Sequence, residues 1–207
     1  MGLFITFEGP DGTGKTTNSA LLEKYLTEKG YDCIRTREPG GTQIGEKIRE
    51  LLLSKDNNAM SYNTEALLYA AARQQIVLEV ILPALEAGKT VICDRFYDSS
   101  IAYQGYGRGL GEEYIRNINS AAIEMCRPDI TFLLWSDEEC VDSRVGGRDK
   151  DRLEQESKEF FDRVRLGFLK IYEKEKERVV YVDTNRPLSE VAEGIASITL
   201  KKLQSKQ

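Results

Sequence analysis

The sequence predicts an α/β fold in which a five-stranded parallel sheet is covered by helices on both faces. Five short runs of apolar, β-branched and aromatic residues are nearly unbroken, which is typical of strands buried on both faces. Segments with helical spacing separate these runs, and alternating strands and helices connect through right-handed crossovers that leave the strands parallel. The five runs cover residues 3–7, 31–34, 90–93, 130–135 and 179–182.

The helices follow from the spacing of apolar residues and from residues that end helices. Leu22 and Leu26 belong to a stripe that stops before Gly30, a residue suited to the left-handed position after a helix. A long helix is expected over about 64–87, with a kink at Pro83. The other helices are expected over residues 44–52, about 112–126, after the capping pair Ser136 and Glu139, and near 153–176 and 188–203.

Length and composition predict one globular domain over residues 1–207. A chain of 207 residues can bury roughly 70% of its unfolded surface, and 41% hydrophobic with 30% charged residues is ordinary for a globular protein. A net charge of −5 argues against nucleic acid or an anionic membrane as a partner. Small anionic molecules remain possible, because individual arginines can meet their charge.

Two residue types narrow the chemistry further. The chain has no histidine, which excludes His-based zinc sites and Ser-His-Asp triads. Its four cysteines are widely spaced and form no CxxC pair, which indicates reduced thiols. The amino terminus has no basic leader or apolar signal core, and no run approaches the ~20 apolar residues of a membrane span. A cytoplasmic location is expected.

The run from Gly9 to Thr16 carries the strongest functional signal. It fits the pattern GxxxxGK[ST], directly after the first predicted strand and before the first predicted helix. Its glycines let backbone N–H groups surround a phosphate, and the helix N-terminus adds positive potential. Lys15 is expected to reach the β- and γ-phosphates, and the Thr16 hydroxyl to ligate Mg²⁺. The fold is therefore expected to be the three-layer P-loop NTPase type.

The P-loop alone does not name the reaction. No NKxD guanine-reading motif is present, and large motor ATPases need a longer chain. Small-molecule kinases and regulatory NTP-binding modules remain.

Asp94 and Arg95 end the third predicted strand, at the sheet edge where ligands of open α/β sheets bind. Asp94 is expected to hold a Mg²⁺-bound water, and Arg95 to take an acceptor phosphate in a bidentate fork.

Four further blocks of sequence carry a recognisable pattern. They are Thr36-Arg37-Glu38-Pro39-Gly40-Gly41, Leu67-Leu68-Tyr69-Ala70-Ala71-Ala72-Arg73, Asp94-Arg95-Phe96-Tyr97-Asp98-Ser99-Ser100-Ile101-Ala102-Tyr103-Gln104-Gly105 and Arg148-Asp149-Lys150-Asp151-Arg152-Leu153-Glu154. These blocks resemble those of thymidylate kinases, occur in family order and, with the P-loop, span residues 8 to 154. The resemblance implies a homodimeric enzyme that transfers the γ-phosphate of ATP to dTMP.

The resemblance also implies roles on the acceptor side. Asp11 contacts the sugar 3′-hydroxyl, and Glu38 lies near the acceptor and a metal-bound water. Tyr103 occupies the space that a ribose 2′-hydroxyl needs, which favours deoxynucleotides. Tyr69 stands where the family usually has phenylalanine and keeps the stacking face for thymine. The predicted dTMP-binding residues are Asp11, Arg37, Glu38, Arg49, Tyr69, Arg73, Arg95, Ser99, Ser100, Tyr103 and Gln104, and the predicted metal-site residues are Thr16, Glu38 and Asp94.

Residues 143–152 form the predicted lid segment, with Gly146 and Gly147 as a hinge. In family members whose P-loop has glycine after the acid, as Gly12 follows Asp11, the lid supplies the catalytic arginine. Arg148 is the first choice, and Arg144 and Arg152 follow. The adenine is expected between the lid and residues 183–187. The predicted ATP-binding residues are Gly9, Pro10, Asp11, Gly12, Thr13, Gly14, Lys15, Thr16, Thr17, Arg144 and Arg148, and the predicted catalytic residues are Asp11, Lys15, Glu38, Arg95 and Arg148.

Overall fold

A five-stranded parallel sheet lies at the centre of the computed structural model, which describes residues 2–137 and 151–206. The strands are β1 (Phe4–Glu8), β2 (Cys33–Arg37), β3 (Thr90–Asp94), β4 (Ile130–Trp135) and β5 (Val179–Asp183), in the spatial order β2-β3-β1-β4-β5. Every neighbouring pair is parallel. The predicted fold class is therefore confirmed.

Nine α-helices lie in the described ranges. They are α1 (Lys15–Glu28), α2 (Gln43–Leu53), α3 (Tyr62–Ile76), α4 (Leu82–Glu86), α5 (Tyr97–Ser100), α6 (Glu112–Ile118), α7 (Ser120–Met125), α8 (Lys158–Lys174) and α9 (Leu188–Lys206). Helices α2, α3 and α8 each begin after a Ser or Thr whose hydroxyl accepts a hydrogen bond from the first-turn backbone, which satisfies an otherwise unpaired N–H.

The expected long helix exists, but its irregularity differs from the prediction. A π-helical turn, Val77–Ile81, joins α3 to α4, and Pro83 lies in the first turn of α4, two residues after it. The continuous stretch Tyr62–Glu86 has the length and composition of a membrane span. This is weak support for a membrane location, because the core helix of a soluble protein meets the same criteria.

Other element boundaries also depart from the expected ones. The edge strand β2 covers Cys33–Arg37, whereas the apolar run predicted residues 31–34, and none of its residues is fully buried. The helix expected over about 112–126 breaks at Asn119, and the one expected near 153 begins at Lys158, after the cap residue Ser157. A second π-helical segment, Ile101–Gly107, follows α5. Glu139 of the expected capping pair lies outside the described residues.

The core forms one apolar cluster on each face of the sheet. Successive strand residues point to opposite faces, so Phe4 belongs to one cluster while Ile5 belongs to the other. Phe4 packs edge-on against Phe96, with ring centroids 5.1 Å apart. The carboxyl ends of β1, β2 and β3 lie side by side, since Glu38 N donates to Asp94 O at 3.0 Å and Arg95 N donates to Phe7 O at 2.9 Å.

Candidate active site

A cavity of about 540 Å³ lies at the carboxyl edge of the sheet. This volume is within the range of small-molecule sites. Its walls come from the P-loop, the ends of β2 and β3, helices α2 and α3, and the α5–π segment. The predicted residues that line it are Asp11, Gly12, Gly14, Lys15, Thr16, Thr17, Arg37, Glu38, Arg49, Tyr69, Arg73, Asp94, Arg95, Ser99, Ser100, Tyr103 and Gln104.

The P-loop has the strained backbone that its glycines permit. Gly9, Gly12 and Gly14 have φ angles of +131°, +77° and +86°. A Cβ atom on Gly9 would lie 2.2 Å from the carbonyl oxygen of Leu134, so only glycine fits there. Gly9, Pro10 and Thr13 are buried residues that do not line the cavity. They shape the loop from behind.

Lys15 lies folded against this loop. Its ammonium group donates to the carbonyl oxygens of Gly9 at 3.1 Å and Pro10 at 2.6 Å. Burial, with further repulsion from Arg95, lowers the pKa of Lys15 to about 8, against the attraction of nearby carboxylates. An arriving phosphate would restore the preference for the charged ammonium.

Thr16 and Asp94 form a pair of hard oxygen donors beside the loop. The Thr16 hydroxyl donates to Asp94 Oδ2 at 2.6 Å. Among the described residues no cluster of three or more carboxylate, Cys or His side chains could hold a metal alone. This composition fits Mg²⁺, which protein sites usually hold through one or two carboxylates together with substrate phosphates and waters.

Arg95 is the centre of the acceptor side. Its guanidinium donates to Asp11 Oδ1 at 2.6 Å, to Ser99 Oγ at 2.9 Å and to the Gly9 carbonyl at 3.1 Å. The Tyr103 hydroxyl donates to the other Asp11 oxygen at 2.8 Å. Burial alone would raise the pKa of Asp11, but the charges of Arg95 and Lys15 outweigh it and lower that pKa. Asp11 is therefore ionised at neutral pH.

Sequence reasoning missed Glu8, which supports Arg95 from beneath. The Glu8 carboxyl group accepts from the backbone N–H of Phe96 at 2.7 Å and forms a short hydrogen bond with the Ser99 hydroxyl. Arg95 directly precedes Phe96 in the chain, donates to the Ser99 hydroxyl and has a φ of +70°. Burial, with repulsion from Asp98, raises the pKa of Glu8 to about 8. A carboxyl group at the end of an otherwise apolar strand was the available signal.

Arg73 lines the cavity and is 1% exposed. Its guanidinium donates to Asn119 Oδ1 at 2.7 Å and to Ser100 Oγ at 3.0 Å, and it approaches Glu38 at 2.6 Å. Burial raises the pKa of Glu38 to about 7 despite the opposing charge of Arg73. Asn119, which the sequence did not single out, lies at the break between α6 and α7.

Arg37 and Arg49 are two further arginines that line the cavity. Arg37 pairs with Glu46 at 3.0 Å, and Arg49 donates to the Pro39 carbonyl at 2.9 Å. Both are more accessible than Arg73. Their positions allow them to turn toward an entering anion.

The lid predictions fall largely outside the described residues. Arg144 and Arg148 lie in that part of the chain. Arg152 is buried, donates to the Leu52 carbonyl at 2.9 Å and approaches Glu65 at 2.7 Å. Arg152 therefore holds the end of the predicted lid segment against α2 and α3. The prediction had instead placed Arg152 among the choices for the catalytic arginine, after Arg148. Residues 183–187, expected near adenine, do not line the described cavity.

Comparisons with known proteins identify relatives of this chain. A family profile described as thymidylate kinase matches residues 7–195. The thymidylate kinase of Geobacillus thermodenitrificans is 46% identical over 98% of this chain and 92% of its own length, and that of Clostridium novyi is 46% identical over 94% and 96%. The crystal structure of thymidylate kinase from Ehrlichia chaffeensis has a TM-score of 0.79 and 37% identity, covering 96% of this chain and 98% of that one.

Proposed function

Because this chain belongs to the thymidylate kinase family, we propose that the cavity is where its residues transfer the γ-phosphate of ATP to dTMP, giving ADP and dTDP. One observation supports this use of the cavity above all others. Lys15 and Arg95 both donate to the carbonyl oxygen of Gly9, each at 3.1 Å. The cation for the donor and the cation for the acceptor are thus neighbours, as transfer between two phosphates requires.

The P-loop is the proposed site of the ATP triphosphate. Backbone N–H groups of the loop residues that line the cavity, from Asp11 to Thr17, surround the phosphates. Lys15 leaves its two carbonyl partners to contact the β- and γ-phosphates. This exchange replaces neutral acceptors by charged ones, which form stronger hydrogen bonds with an ammonium group.

Thr16 and Asp94 are the proposed residues for Mg²⁺, and Glu38 is the third predicted member. The short contact between Thr16 and Asp94 supports the first two. Glu38 faces Arg73, so its place at the metal depends on that pair separating when ligands enter. Bound with ATP, Mg²⁺ supplies positive charge that neutralises phosphate oxygens.

Arg95, with Arg37 and Arg49, is proposed to hold the phosphate of dTMP. A guanidinium binds phosphate through two parallel hydrogen bonds, which fixes direction as well as position. Asp11 is proposed to accept from the sugar 3′-hydroxyl, and the Tyr103 ring, 7% exposed, to exclude a 2′-hydroxyl. The ionised state of Asp11 supports its role as an acceptor.

The base is proposed to stack on Tyr69 and to meet Arg73, Gln104 and Ser100 at its edge. Arg73 offers only donors, which suits the O4 carbonyl of thymine and opposes the amine of cytosine. The contacts to Ser100 and Asn119 hold the Arg73 guanidinium in one orientation. The preference for thymine over cytosine is then set by a guanidinium whose orientation is fixed before the base binds.

The chemical step needs positioned positive charge and no general base of tuned pKa, because the acceptor phosphate is already ionised. Lys15 and Arg95 supply part of this charge. Arg148, in the lid segment, is the proposed arginine that covers the migrating group, and Arg144 is the alternative.

A coupled assay of ADP release across a nucleotide panel tests the proposal. Purified enzyme with ATP and Mg²⁺ should turn over dTMP faster than dCMP, AMP or GMP. Equal rates with dCMP would contradict the proposed base site. ATP binding without ADP release after dTMP is added would instead identify a non-catalytic NTP-binding module.

The proposed partner is a second copy of this chain. Exposed apolar side chains on the adjacent helices α2 and α3 and on the π-helical turn after α3 support this. Ile44, Leu51, Leu67 and Leu78 are each about half exposed. Light scattering should report a dimer that Leu67→Lys dissociates and that Leu188→Lys, an equally exposed site on α9, leaves intact.

A cytoplasmic location is also proposed, and the free state of Cys33, Cys93 and Cys126 supports it.

A further inference from the structure

A buried carboxylate lies behind the proposed base site. Glu65 is 0% exposed and precedes Tyr69 by four residues and Arg73 by eight, so all three lie on one face of α3. Glu65 Oε1 accepts from Gln104 Nε2 at 3.0 Å and from Arg108 Nε at 3.1 Å. Glu65 Oε2 accepts from Arg108 at 3.0 Å and lies 2.7 Å from Arg152.

These contacts determine which end of the Gln104 amide faces Glu65. Burial alone would raise the pKa of Glu65, but hydrogen bonds from Arg108 and Gln104 outweigh it and lower that pKa. An ionised carboxylate only accepts hydrogen bonds, so Gln104 must direct its NH₂ group toward Glu65. Its carbonyl oxygen then points away from Glu65.

The Gln104 carbonyl oxygen is available to a ligand. Gln104 lines the cavity, and within residues 2–137 and 151–206 nothing donates a hydrogen bond to its Oε1. A thymine ring presents an N3–H donor beside its O4 acceptor, whereas cytosine presents an N3 acceptor beside an amine. A fixed carbonyl oxygen accepts from thymine N3–H and opposes cytosine N3.

We propose that Glu65 is a positioning residue that holds the Gln104 amide with its carbonyl oxygen toward N3–H of the acceptor base. The inference rests on the proposed function, because it needs a pyrimidine in this cavity. Reversing the amide would place its oxygen against the Glu65 carboxylate, two acceptors without a shared proton. Glu65 therefore contributes to base choice without touching the base.

Steady-state kinetics of Glu65→Gln test this role. A neutral amide at position 65 can face Gln104 with either end, so it no longer selects one orientation. We expect the kcat/KM ratio of dTMP to dCMP to fall about 10- to 100-fold, mainly through KM for dTMP. KM for ATP should change less than about threefold. An unchanged ratio would overturn the proposal.

Glu156→Gln is the matched control. Glu156 pairs with the same Arg108 at 2.5 Å, and its carboxylate has no contact with Gln104 among the described residues. Both variants remove one negative charge from the partners of Arg108. The base ratio should stay unchanged in Glu156→Gln, and an equal fall in both variants would mean that charge loss around Arg108 explains the effect.

A double-variant cycle separates positioning from general destabilisation. In a Gln104→Leu background, Glu65→Gln should cause no further fall in the dTMP to dCMP ratio, because the group through which it acts is gone. Additive losses would show that Glu65 affects base choice independently of Gln104, which contradicts the proposal.

A measurement on the unaltered protein covers the case in which Glu65→Gln does not fold. The side-chain NH₂ signals of Gln104 can be identified by their loss in Gln104→Leu. They should be protected from solvent exchange and stay so when dTMP binds. Loss of protection on binding would show that the NH₂ group has left Glu65. Bound dTMP that is never phosphorylated would refute the proposed function and leave this readout valid.

Discussion

Replacing Arg95 by lysine keeps the positive charge and removes the paired nitrogen donors of the guanidinium. Arg95 uses different nitrogens for Asp11 and Ser99, at 2.6 and 2.9 Å, and an ammonium has only one nitrogen. Neither side chain relieves the cost of the +70° φ at this position, so backbone strain stays the same. The substitution therefore tests geometry at constant charge.

The expected magnitude follows from the hydrogen bonds lost. A hydrogen bond to a charged group contributes about 1.5–3 kcal/mol, and a lysine can keep at most part of the fork to the acceptor phosphate. A loss of about 2–4 kcal/mol corresponds to a fall in kcat/KM for dTMP of about 30- to 1,000-fold. KM for ATP should change much less, because Lys15 and the loop amides remain.

Initial-rate kinetics with varied dTMP at saturating ATP provide the assay for Arg95→Lys. Arg35→Lys is the control, because Arg35 lies on the edge strand β2 and pairs with Glu23 at 2.9 Å, and it does not line the cavity. Retention of more than a fifth of the dTMP kcat/KM by Arg95→Lys would refute the view that a guanidinium fork holds the acceptor.

Three further predictions concern charge in and beneath the cavity. Lys15, with a pKa of about 8, loses its proton as pH rises, while bound phosphate favours the charged form. ATP affinity measured by calorimetry should therefore fall above about pH 8, and Lys15→Arg should remove this fall. The same dependence of ATP affinity on pH in the wild type and in Lys15→Arg would contradict this prediction. Lys15→Ala and Arg148→Ala should each lower kcat at least ~100-fold, and a near-normal rate for Arg148→Ala beside a slow Arg144→Ala would move the role to Arg144. Glu8 keeps its proton up to about pH 8 when folded and releases it near its ordinary pKa of 4.5 when unfolded. Wild-type stability should therefore fall from about pH 4.5 to pH 8 relative to Glu8→Gln, and a constant Tm difference over that range would show that Glu8 does not carry this proton.

Sequence patterns predicted the bounds of the central strands β1 and β4 better than those of the edge strand β2. An unbroken apolar run marks a strand covered on both faces, as in β1 and β4. The edge strand β2 lacks that signal, since Arg35 and Arg37 alternate with less exposed residues along it. Its bounds depend on pairing with β3, which local sequence does not reveal.

The same limit applies to the site. The P-loop and the Asp94–Arg95 pair were found because each is a local motif at a strand end. Glu65 and Gln104 are 39 residues apart, and their contact depends on how α3 packs against the π-helical segment Ile101–Gly107. Nothing in the periodicity of either segment indicates a buried carboxylate, so the supporting residues became visible only through tertiary packing.

The π-helical segment Ile101–Gly107 directs neighbouring side chains into the cavity. The backbone N–H of Arg108 donates to the Tyr103 carbonyl, five residues earlier, so this stretch winds more slowly than an α-helix. Consecutive side chains diverge less, and Tyr103 and Gln104 both line the cavity. Sugar and base discrimination therefore share one stretch of backbone, and deleting a single residue there should disturb both at once.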